Sequence, residues 1–134
     1  MILSHGDVIA VVDGAKFELY RNQGSGTEPA LAALPTPHLR EDDKSAGARH
    51  YTSSGNPTGH LLDEDAHAAA VTGWLNHEVL GGRIARLVVI AAPRTLGEMR
   101  LHYNKALSSA LIGELPLDLA GRGDQAVLRA LKGI

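Results

Sequence analysis

Apolar and polar positions follow two different rhythms along this chain. Residues 7–13, DVIAVVD, are apolar and mostly β-branched, the pattern of a strand buried on both faces. Asp13-Gly14 follows, a strong hairpin signal between two strand-like runs. Residues 15–22, AKFELYRN, alternate: Ala15, Phe17 and Leu19 on one side, Lys16, Glu18 and Tyr20 on the other. This predicts a second strand with one face packed and one face wet. QGSGTEP turns the chain, and ALAALP (30–35) reads as a third, short strand.

The helical rhythm begins at residue 63. DEDAHAAAVTGWLNHEVLGG (63–82) carries Ala66, Ala70 and Trp74 on one face, beside Val71 and Leu75. Asp63, Glu64 and Asp65 suit its positive N-terminal end, and Gly81-Gly82 suit its stop. ARLVVIAAP (85–93) is a second doubly buried strand. Leu96, Met99, Tyr103, Ala106, Leu107 and Ala110 recur at helical spacing, predicting one helix over 95–114. Thr95-Leu96-Gly97-Glu98 has the form of a capping box for its start. ELPLDLAG (114–121) reads as a last short strand, and DQAVLRALKGI as a closing helix capped by Asp124.

The order is thus three strands, a connection, then helix, strand, helix, strand, helix. It predicts an α/β fold built on a mixed five-stranded sheet of order 3-2-1-4-5, with strand 2 antiparallel and helices on the faces, as in ribonuclease H-like folds. Residues 1–134 read as a single domain. Residues 35–62 show no period, are rich in Pro, Gly, Ser and Thr, and read as a long, mobile, functional loop.

Composition narrows the classes. At 134 residues and 44% apolar content, the chain can build a real core, and scarce aromatics make that core aliphatic. A net charge of -2 argues against a general nucleic-acid binder while leaving room for a local basic patch. No cysteine is present, which excludes disulfides and thiolate chemistry. The N-terminus has no signal-peptide pattern, and no apolar run approaches the ~20 residues that span a bilayer. The expectation is a cytoplasmic protein without membrane insertion; the pattern sets no oligomeric state.

Candidate chemistry is sparse. A two-metal nuclease of this topology needs carboxylates converging from several strand ends. Asp13 stands at one such end, but the end of strand 4 reads VVIAAPR, with no carboxylate. Asp13 reads better as a turn residue. Seven histidines form no zincin pattern, and His67 and His77 lie about 15 Å apart along one helix, so most read as surface residues and no metal or cofactor is expected. No P-loop, Gly-x-Ser-x-Gly or Gly-x-Gly-x-x-Gly occurs, and no catalytic residue is assigned. Arg94 and Arg100 flank the start of the second helix, an edge where open α/β folds bind ligands, and are the candidate anion-binding residues.

VIAVVDGAKFELYR, the loop REDDKSAGARHYTSSG, then RLVVIAAPRTLGEMR and LPLDLAG together resemble the bacterial host-attachment protein family. The matching positions are Asp13 and Gly14, then Ala92, Pro93, Leu96, Gly97 and Arg100, then Asp118 and Leu119. The resemblance spans nearly the whole chain and is most specific over 87–100. That family is in turn similar to the middle domain of the eukaryotic and archaeal peptide-chain release factor and of Pelota. There the long loop carries Gly-Gly-Gln. Here Gln23 and Gln125 are the only glutamines, and both lie outside the loop. The resemblance therefore implies a release-factor-like frame without its usual peptide-release chemistry.

The reading that follows is a non-enzymatic protein acting through a ribosome, RNA or protein partner, with any effect on attachment indirect. Arg40, Lys44, Arg49 and His50 of the loop are its candidate partner or nucleic-acid contacts. Two alternatives stay open: a metal-dependent nuclease-like enzyme using Asp13, and a phosphate or nucleotide binder at Arg94 and Arg100.

Overall fold

The computed structural model describes residues 2–39 and 59–133. Its elements run β1 (Val8–Val12), β2 (Phe17–Asn22), β3 (Leu31–Leu34), α1 (Gly59–Leu80), β4 (Leu87–Ala91), α2 (Pro93–Arg100), α3 (Lys105–Ala110), β5 (Leu111–Leu115) and α4 (Asp124–Lys132). The five strands form one sheet of order β3-β2-β1-β4-β5. β1 pairs antiparallel with β2 and parallel with β4, in register from Val8↔Leu87 to Val12↔Ala91. β4 pairs parallel with β5, and β2 antiparallel with β3. The order and the direction of strand 2 are those the sequence predicts.

β1 and β4 are buried at every position because both faces of the sheet are covered. On one face Val8, Ala10, Val12, Leu87, Val89 and Ala91 pack against Ala68, Val71 and Leu75 of α1, Leu96 and Met99 of α2 and Leu107 of α3. On the other, Ile9, Val11, Val88 and Ile90 meet Val127 and Leu131 of α4, with Leu3 and Leu115. Tyr20 belongs to this second layer and is buried, so β2 is packed on both faces rather than wet on one.

Five boundaries differ from the sequence reading. α1 starts at Gly59, so Asp63, Glu64 and Asp65 lie beyond its first turn and do not serve its dipole. Ala70, Val71 and Leu75 are buried as the sequence predicts, and Ala68 joins them. Trp74 is only half-buried, meeting Phe17 edge-on with ring centroids 5.6 Å apart.

The predicted helix over 95–114 is two short helices. The Asn76 side chain of α1 donates to the His102 carbonyl (2.9 Å) and accepts from the Asn104 amide (3.1 Å), fixing a turn at 101–104. Asn104 then caps α3 by accepting from the Leu107 amide at 2.8 Å. The last strand correspondingly begins at Leu111 and ends at Leu115, not over 114–121.

α2 opens on Pro93 with Ala92 as its cap residue and no side-chain cap. Thr95 is inside the helix and buried, and Glu98 pairs with His102 one turn on, so no capping box forms. α4 is capped by Gly123, whose φ of 91° favours glycine; Asp124 is its first helical residue rather than its cap.

Candidate functional site

The candidate residues fall in two regions of the chain. The first is the connection from β3 to α1. Arg40, Lys44, Arg49 and His50 all lie outside the described residues. At its entrance, Pro37, His38 and Leu39 lie across α1 and, with Ala69, Ala70, Gly73 and Trp74, enclose an open groove of ≈ 360 Å³.

The second region is the edge of the sheet where the parallel strands β1, β4 and β5 end. Three strand ends bring three short loops together there: Asp13-Gly14-Ala15 after β1, Ala92 and the start of α2 after β4, and Asp118 after β5. Glu64 of α1 closes the side. These residues, with Arg94 and Thr95, line a cleft of ≈ 270 Å³. Asp13 is committed to its turn, its Oδ1 accepting the amides of Ala15 (2.8 Å) and Lys16 (2.5 Å). The turn reading of Asp13 is therefore correct. A side chain at Gly14 would collide with the Glu64 carboxylate, so glycine lets that carboxylate lie against the hairpin. Among the described residues, no group of three His, Asp or Glu side chains is close enough to hold a metal ion.

Arg94 and Arg100 are not brought together. Arg94 pairs with Asp65 of α1 at 3.0 Å, beside the cleft. Arg100 sits at the far end of α2, where its Nε and Nη2 donate to the two carboxylate oxygens of Glu114 on β5 at 3.3 and 3.1 Å. The Tyr103 hydroxyl donates to the same carboxylate at 2.8 Å. Burial alone would raise the Glu114 pKa. The hydrogen bonds from Arg100 and Tyr103 and the guanidinium charge outweigh it and hold the carboxyl below its ordinary value of 4.5. Burial, then the bond to Glu114, pushes the Tyr103 phenol far above its usual range.

This cluster ties α2 and the 101–104 turn to the edge strand, and it carries a pH dependence. Because the folded Glu114 value is depressed, its contribution is complete above the unfolded value and is lost as pH falls through the folded one. Acidification below about pH 4.5 should therefore destabilise the parent more than Glu114→Gln, as urea melts at about pH 6 and about pH 3.5 would read. The effect is modest because Arg100 is half exposed.

Among the described residues His5, His38, His77 and His102 are exposed, as expected, and His67 is the exception. His67 is buried in α1 and its Nε2 lies 3.2 Å from the Lys16 carbonyl, joining the helix to the first hairpin. Sequence reasoning missed Glu64, Thr95 and Asp118 as neighbours. A last strand placed over 114–121 buries Asp118 in mid-strand; ending it at Leu115 puts Asp118 in the loop beside Asp13. No described helix is long and apolar enough to cross a membrane.

Comparison with known families supplies one match. The model described as Bacterial archaeo-eukaryotic release factor family 12 matches residues 7–131, from the edge of β1 to the end of α4. No curated protein matches the chain.

Proposed function

The chain belongs to bacterial archaeo-eukaryotic release factor family 12, and from that premise we propose that it is a non-enzymatic, release-factor-middle-domain-like module that acts by binding a ribosome or other RNA. The observation that carries this reading is the family match itself, which runs through the β3–α1 connection on a sheet of order β3-β2-β1-β4-β5. That connection occupies the place of the loop that bears Gly-Gly-Gln in release factors, and no Gly-Gly-Gln occurs in this sequence. What the loop offers instead is Arg40, Lys44, Arg49 and His50, three fixed cations and one titratable ring. These groups suit phosphate contacts, which position a protein on RNA without reading its bases. Glu41, Asp42 and Asp43 stand among them and temper the attraction. Binding on this reading is therefore local and salt-sensitive rather than a property of net charge. An effect on attachment to host cells would follow indirectly, through translation.

Cosedimentation tests it. The protein should travel with ribosomes in low salt, and Arg40→Ala/Lys44→Ala/Arg49→Ala should return most of it to the top of the gradient. A parent protein that stays at the top, or a triple variant that sediments like the parent, overturns the proposal.

A further inference from the structure

The groove at the entrance of the β3–α1 connection offers what a basic loop alone does not, an aromatic wall. Its volume of ≈ 360 Å³ falls within the roughly 300–1,000 Å³ of sites that hold ligand-sized groups. The indole of Trp74 lines it, half-exposed and braced by the Phe17 ring at 5.6 Å between centroids. Pro37 and the exposed His38 form another wall. Below them the α1 surface is low, because Ala69, Ala70 and Gly73 carry at most a methyl group. A Cβ built on Gly73 meets nothing within 4 Å beyond its chain neighbours and its own helix, so the space above it is open.

An aromatic wall beside a low floor fits a flat ring. The His38 imidazole at the rim adds a donor or acceptor for the polar edge of such a ring. Charge narrows the choice further. Pro37, His38 and Leu39 also wall a second cleft of ≈ 260 Å³ that reaches Phe17 and His67, and among the described residues neither cleft is lined by a carboxylate. The cleft at the ends of β1, β4 and β5 differs in holding Asp13, Glu64 and Asp118. An anionic ligand is therefore not repelled from the groove, and Arg40, the first of the loop cations, follows Leu39 directly in sequence. A flat ring with a polar edge on an anionic backbone is a nucleotide. Its base has a free face only where the strand is unpaired, and aromatic side chains stack on such bases.

We propose that this groove takes an unstacked base of single-stranded RNA against Trp74, with the flanking phosphates left to the loop cations. The inference rests on the RNA-binding reading and adds a choice of substrate to it, single strand over duplex. Stacking needs only a π-face, so the site accepts any base.

Trp74 is the single tryptophan of the chain, so its emission reports the groove alone. The full chain is titrated in low salt with octauridylate, an abasic ribose-phosphate strand of the same length, an RNA duplex and a proline-rich peptide. Anisotropy of labelled ligands reads binding, and indole quenching by unlabelled ones reads the groove. Octauridylate should bind and quench saturably, while the abasic strand and the duplex should bind roughly tenfold more weakly and leave the emission unchanged. Gly73→Leu projects a side chain into the open space of the groove and improves helix propensity. It should abolish quenching and weaken octauridylate roughly tenfold, with no change for the abasic strand and no fall in the urea midpoint. Octauridylate that binds without quenching, or that binds and quenches equally in Gly73→Leu, overturns the groove and leaves the RNA-binding reading standing. A duplex bound as tightly as octauridylate does the same. Quenching by the peptide and by no RNA strand overturns the proposal in favour of a protein ligand. Failure of every strand to bind overturns both readings.

Discussion

Asn22→Ala should lower the free energy of unfolding by about 3 kcal/mol, a large loss for a polar substitution. Asn22 is fully buried at the end of β2. Its Oδ1 accepts the amides of Gly24 and Ala30, each at 3.0 Å, and its Nδ2 donates to the carbonyls of Ser4 (3.1 Å) and Ser25 (3.4 Å). One side chain thus closes the β2–β3 turn and anchors the N-terminal segment to it. Alanine removes all four bonds, and each buried group left unpaired costs about 1–3 kcal/mol unless water reaches it. Gly24→Ala tests the same turn from the backbone. A Cβ there would collide with the Glu28 carbonyl and lie 2.7 Å from the Ala30 nitrogen, and neither atom can swing aside. Because both substitutions open one turn, the double variant should lose less than the sum of the two. Urea denaturation gives the magnitudes, and hydrogen exchange at the Gly24 and Ala30 amides gives the location. A loss under about 1 kcal/mol for Asn22→Ala would mean that the turn is held by other contacts.

Leu107→Ala should cost about 3 kcal/mol, within the range for deleting a fully buried leucine. Leu107 is completely buried against the α1 face of the sheet. α3 has only six residues, too few for a helix to persist in water without tertiary packing. Its place depends on Leu107, Ala110 and the Asn104 cap, and β5 begins at the very next residue. The loss should therefore be local first. Amides of α3 and β5 should exchange faster than those of β1 and β4, which lie at the centre of the sheet. Uniform acceleration across the whole sheet would instead show that α3 and β5 open only with the global unfolding.

The long-range order was well written in the sequence, and the candidate site was not. DVIAVVD and ARLVVIAAP are apolar enough on consecutive positions that only a doubly covered strand accommodates them, and both became central strands buried throughout. Asp13-Gly14 marked its hairpin, and the Asp13 carboxylate does bind the turn amides. Thr95-x-x-Glu98, by contrast, has the letters of a capping box without the geometry, because Pro93 already opens the helix two residues earlier. Arg94 and Arg100 look like a pair of neighbours in sequence and engage different carboxylates, Asp65 and Glu114, at opposite ends of α2. The acidic run 63–65 suggested a helix start, and Asp65 proved to be the partner of Arg94 instead.

The sequence by itself determined which segments lie at the middle of the sheet and the order of the strands. Those features rest on local periodicity and on connection rules, both of which a linear chain displays. Only the tertiary structure decided where the second helix breaks, where the last strand ends, and which charges meet. Each of those outcomes is set by a side chain remote in sequence: Asn76 holds the turn at 101–104, Asp65 holds Arg94, and Glu114 holds Arg100. Periodicity reports the face a residue turns toward the core, but not the distant atom it will find there. The cleft that gathers Asp13, Glu64, Thr95 and Asp118 is the clearest consequence. Its four residues come from four separate stretches of chain, and only the closing of the sheet edge makes them neighbours.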